Sequence, residues 1–154
     1  MTTVQGDLAL LRDPVAQQLL GSRQPAHLAY TWTDGTPRVV PIWFQWTGES
    51  IVFGTPPKAP KLKALRAHDD VAVTVDDAAA WPYKALLVRG RASVTLHDDV
   101  VAEYAEAADR YFGAEQGKAW LSQLQGQPMA RVAVTPTWAA VLDFETRFPS
   151  ALSA

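Results

Sequence analysis

Cysteine is absent from the 154 residues, and with it go disulfides, thiol nucleophiles and thiolate metal sites. No apolar run approaches the roughly 20 residues of a membrane span. Met1 to Ala9 carry no basic segment followed by an apolar stretch, so no secretory signal is legible. The expectation is a cytoplasmic protein that engages no membrane. Charge of one sign is also missing: 14 Lys and Arg against 16 Asp and Glu leave a formal net charge of −2, which gives no general attraction to nucleic acid. His27, His68 and His97 are scattered without a His-x-x-x-His spacing, so no metal site is expected. Gly-x-Ser-x-Gly, Gly-x-Gly-x-x-Gly and Walker-type loops do not occur, which removes support for hydrolase and nucleoside-triphosphatase chemistry. The pairs Asp69-Asp70, Asp76-Asp77 and Asp98-Asp99 sit at element boundaries, where Asp serves capping and turns better than acid/base work.

What remains is a globular composition, 48% hydrophobic and 19% charged, in a chain of single-domain size spanning 1–154. Asp13-Pro14 before an apolar run to Leu20 and Gly21 predicts a short helix with Asp as N-cap and Pro at the first position, packed as a lid. Ala26–Thr33 and Arg38–Thr47 flank Asp34-Gly35 and predict a hairpin. Gly48-Glu49-Ser50 turns the chain into a third strand, Ser50–Thr55. Pro41 cannot donate to a ladder, so its strand is expected at an edge or bulge whose backbone faces something else. Val71, Val73 and Val75 alternate within a fourth strand, Asp70–Val75. A fifth runs from Lys84 to Leu96 with Gly90 marking a bend or bulge. Helices are predicted over Asp98–Phe112 and Glu115–Gln125. Met129–Phe144 forms a sixth strand, interrupted at Thr135-Pro136, before a Pro- and Ser-containing tail. Six strands with inserted helices favour a barrel or strongly curled antiparallel sheet over a parallel α/β arrangement.

The stretch Gly54 to Arg66 is electrostatically odd. With Pro60 opening a helix, Lys58, Lys61 and Lys63 crowd the positive end of its dipole, where a cation costs on the order of 0.3–1 kcal/mol. A bound phosphate would offset that cost, and Thr55 could add a hydroxyl donor. A solvated basic surface helix explains the same residues. Six tryptophans offer flat walls to a planar ring but are equally ordinary core or interface filling. Trp43 carries more weight because it follows Pro41 on the strand whose backbone is expected to be free. Trp81 and Trp138 are candidates for a dimer contact.

The series Arg38-Val39-Val40-Pro41-Ile42-Trp43-Phe44, then Ile51 to Thr55, then Lys61 and Leu65, then Asp70 to Val75, then Leu87 to Ala92 resembles the pyridoxamine 5′-phosphate oxidase-like proteins. The similarity runs over Ala26 to Val94. It implies a mainly β, six-stranded antiparallel split β-barrel with inserted helices. It also implies a homodimer that binds FMN, coenzyme F420 or a haem-related ligand in a groove between subunits. Carried over by position, Val40, Pro41, Ile42 and Trp43 would line the ring and ribityl part, Thr55 and Lys61 would hold the phosphate, and Lys58 would assist. Pro60 stands where the true oxidases have an arginine. The stretch Leu142 to Pro149 also differs from their basic terminus, so oxidation of pyridoxamine phosphate itself is not expected. The pattern is more similar to actinobacterial flavin/deazaflavin oxidoreductases. On that resemblance the chain is an F420- or FMN-dependent oxidoreductase transferring hydride to a small organic substrate, with coenzyme F420 favoured. The cofactor does the chemistry, and no residue need be a covalent catalyst. The alternative is a non-catalytic protein that stores a flavin or haem-type ligand.

Overall fold

Local turn chemistry sets the first hairpin. The Asp34 carboxylate accepts from the Thr36 N–H at 2.9 Å, and Gly35 takes a φ of 86° that a side chain would strain. The computed structural model describes residues 4–79 and 81–147. Its hairpin strands are β1 (Ala26–Thr31) and β2 (Pro37–Ile42), followed by β3 (Gln45–Trp46), β4 (Ile51–Thr55), β5 (Asp70–Asp77), β6 (Lys84–His97) and β7 (Met129–Asp143). All seven join one sheet in the order β2-β1-β5-β6-β7-β4-β3, and every recorded pairing is antiparallel.

Seven strands correct the expected six. The expected strand Arg38–Thr47 breaks at Trp43-Phe44, and its two pieces lie at opposite edges of the sheet. Phe44 is fully buried, whereas Trp43 packs against a helix described below. With only two residues joining the two edges, the sheet must curl until they approach each other. Pro41 lies on an edge strand, as expected, because it has no N–H for a second neighbour.

The inward stripe of this curled sheet is the core. Leu28, Phe53, Val73, Val75, Leu86, Val88 and Val132 are each no more than 2% exposed, and burial of each such side chain contributes about 1.5–3 kcal/mol. Two helices close it with apolar faces. Helix α1 (Pro14–Leu20) is capped by the Asp13 carboxylate on Val15 N–H and buries Leu19 and Leu20. Helix α2 (Pro60–Ala67) buries Leu62 and Leu65. An unforeseen 3-10 turn, Leu8–Arg12, adds Leu10 and Leu11 to the same cluster.

The long strands β6 and β7 stay paired through a bulge between Arg89 and Gly90, where the register skips Thr137. A Cβ on Gly90 would lie 2.4 Å from the Thr135 carbonyl oxygen, so only glycine allows the two backbones to approach there. The Thr135-Pro136 step therefore bulges the last strand without ending it. The remaining helices, α3 (Ala102–Phe112) and α4 (Ala114–Leu124), form a hairpin beside β3 and β4. Helix α3 begins later than the acidic pair suggested, because Asp99 is used as a clasp. Its carboxylate accepts from Val100 N–H and from Gly126 N–H beyond α4. The Pro- and Ser-containing tail after residue 147 lies outside the described residues.

Candidate cofactor site

Alternation along β2 decides which side chains face outward. Val40 packs on the core and Ile42 is buried, while Val39 and Pro41 point to solvent. A ligand alongside this edge would therefore meet the Pro41 ring, Val39 and the backbone, not the side chains of Val40 and Ile42. The Trp43 ring is engaged by α3. It stacks on Tyr111 at 5.1 Å between centroids and 9° between planes, and meets Phe112 edge-on at 4.6 Å. Arg110 fixes the same crossing by donating to the Phe44 carbonyl, the Gln45 side-chain oxygen and, at 2.9 Å, the Ser22 carbonyl.

The basic segment follows β4. Thr55 lies on the core-facing side with Ile51 and Phe53 and is only 5% exposed, yet its hydroxyl has no hydrogen-bond partner among the described residues. Ala59 precedes α2 and provides no side-chain cap; Pro60 has no N–H and the Leu62 N–H donates to the Ala59 carbonyl at 3.0 Å, so the Lys61 N–H is the first-turn donor left for an external acceptor. Lys61, in that first turn, is half-buried. Burial, with no opposing carboxylate, pushes its pKa below the ordinary lysine value. Among the described residues no carboxylate lies within ion-pair distance of Lys58, Lys61 or Lys63. Lys58 and Lys63 are exposed. This donor set suits a phosphate: an unpartnered hydroxyl that reaches the surface, a helix start without a side-chain cap and a partly desolvated ammonium. Pro60 at the first helical position supplies no donor of its own.

Other residues met here were not singled out from sequence. Beside β4, on the face opposite Thr55, Gly54 is overlain by Tyr104 of α3 and Met129 of β7. Arg131 of β7 pairs with Glu103 of α3 at 2.6 Å, which holds the Glu103 carboxyl below the usual carboxylate range. No local motif announces these contacts, because their partners are dozens of residues apart. The exposed Trp81 packs on Tyr83 and Phe144. Trp138 lies under the Arg89 guanidinium at 4.1 Å.

Known proteins share this fold. Residues 13–140 match the family model described as pyridoxamine 5′-phosphate oxidase. A solved structure called an F420 reductase is 31% identical, with a TM-score of 0.65 over 80% of this chain and 94% of that one. A conserved hypothetical protein from Mycobacterium tuberculosis shares the fold at 16% identity and a TM-score of 0.69, over 93% of this chain and 89% of its own. The haem storage protein HutZ from Vibrio cholerae does so at 19% and 0.61, over 85% of this chain and 93% of its own. No curated protein matches the chain. The curled antiparallel sheet, the uncapped basic helix after β4 and the match across 13–140 lead to one conclusion: this chain belongs to the pyridoxamine 5′-phosphate oxidase family.

Proposed function

We propose that the chain binds a phosphate-bearing flavin or deazaflavin, coenzyme F420 or FMN, and acts as a homodimeric cytoplasmic oxidoreductase on a small organic molecule. The phosphate would rest on Thr55 and Lys61 with Lys58 at the rim, and the ring would extend along the outward side of β2 past Pro41 towards Trp43. The observation that carries this reading is Lys61: a half-buried ammonium with no carboxylate partner among the described residues, its charged form disfavoured by burial. An anion bound there would relieve a cost that the protein alone leaves in place. The 31% identity to an F420 reductase supports coenzyme F420 over FMN. When bound, the cofactor supplies hydride chemistry, and this chain's residues hold and orient it. A split β-barrel closed by the approach of β2 and β3 belongs to the same reading.

Fluorescence titration of the purified protein with each cofactor, followed by a reductase assay on the loaded protein, tests the proposal. Saturable binding of at least one cofactor with turnover of an electrophilic acceptor is expected. Absence of affinity for both would overturn it. Tight binding without turnover of any acceptor would instead favour the storage role.

A further inference from the structure

Beside the phosphate segment, and sharing Thr55 with it, lies a slot of about 550 Å³ set between the ends of β4 and β7 and the α3–α4 hairpin. Its floor is Gly54, and its walls are chiefly Tyr104, Trp120, Leu124 and Met129, with Pro57 at the mouth. None of the residues lining it is charged, so it offers nothing to a phosphate or an ammonium and differs in chemistry from the lysine segment. Gly54 keeps the floor low. A Cβ there would stand 2.5 Å from the Met129 sulfur and 3.0 Å from Tyr104 Cδ2, driving the Met129 side chain into the space.

Besides Thr55 and Gln127, the slot holds one directional polar pair. Trp120 Nε1–H donates to the Tyr104 hydroxyl at 2.9 Å. That bond orients the Tyr104 oxygen and leaves its own proton with no acceptor among the described residues. A slot of two aromatic rings, a thioether and prolines, with the Tyr104 hydroxyl poised as a donor and Thr55 and Gln127 also in its lining, suits a flat apolar molecule bearing an acceptor oxygen. We infer that this slot is a second ligand site, which takes a neutral planar aromatic compound carrying a carbonyl, the carbonyl oxygen accepting from Tyr104. The slot adjoins the phosphate segment and shares Thr55 with it, but the inference does not rest on the cofactor proposal, since the Tyr104 hydroxyl and the α3–α4 side chains that carry it play no part in holding the phosphate.

The test uses the full chain without cofactor and follows the Trp120 indole N–H by NMR, with 2-acetonaphthone as the neutral probe and 2-naphthoate as an anion of the same size. Saturable movement of the Trp120 signal by the ketone is expected, with the carboxylate at least tenfold weaker. Tyr104→Phe should weaken the ketone at least fivefold, and Leu124→Trp should fill the slot and abolish binding. Tyr104→Phe keeps the test decisive if the bulkier variant does not fold. No movement at Trp120, equal binding of the carboxylate, or unchanged affinity in the folded variants would overturn the assignment. So would ketone binding that appears only on dilution to a monomer, which would mean that a second copy covers the slot. Failure of FMN and coenzyme F420 to bind would sink the cofactor proposal and leave this one standing.

Discussion

Two groups of basic side chains treat their charge in opposite ways. At Arg131 the guanidinium is matched by Glu103 at 2.6 Å, and the pair ties α3 to β7. At the start of α2, three lysines face no carboxylate among the described residues, and one is partly buried at that. A paired, half-buried charge is explained by the fold it holds together. An unpaired one at a helix N-terminus works against the fold, and a partner from outside the chain is the physical way to make it favourable.

The strongest way to break this contrast is Lys61→Ala. Removing a charge-assisted hydrogen bond of about 1.5–3 kcal/mol should weaken cofactor binding about 10- to 100-fold while thermal stability holds or rises slightly. Unchanged affinity in a fluorescence titration would return the lysines to the role of solvated surface. pH sharpens the same point. Burial lowers the Lys61 pKa, so as pH rises its ammonium is lost before that of an exposed lysine, and cofactor affinity should begin to fall below the ordinary lysine range. An affinity flat across that range, measured at constant ionic strength, would contradict it.

Glu103→Gln should show the reverse pattern. The fold should lose about 1–2 kcal/mol, visible as a lower melting temperature, with cofactor affinity unchanged. Because Arg131 holds the Glu103 pKa low, the pair's contribution is present above the ordinary glutamate pKa and lost as pH falls through the depressed value. The variant should therefore also lose part of the acid sensitivity of unfolding. The smallest effect is expected at exposed Lys58: Lys58→Ala should change affinity about two- to threefold, and that change should vanish in high salt.

Legibility in the sequence followed the range of the forces involved. The Asp34-Gly35 hairpin, the Asp13 cap, the valine alternation of β5 and the Gly90 bulge are set by neighbours in the chain or by a backbone approach that excludes a side chain. The basic segment was also legible, since its oddity is a clash between charge and helix dipole within a few residues. The break at Trp43-Phe44 was not. Both residues have strand-like side chains, and the split arises because Phe44 is drawn into the core while Arg110, far along the chain, holds its carbonyl. The slot over Gly54 is still more remote, assembled from three separate stretches.

The strand order has a consequence for synthesis. Among the described residues the β3–β4 hairpin reaches the rest of the sheet through β7, since β4 pairs there with β3 and β7 and no other strand. A growing chain can form its early hairpins as they emerge, but those hairpins belong to opposite edges and share no ladder until residues 129–143 slide between β4 and β6. Assembly is thus a zipping from the outside inward, with the last strand as the key that locks two waiting pieces. A nascent chain stalled before Met129 should accordingly expose two unfinished edges, the state in which a β protein is most open to aggregation.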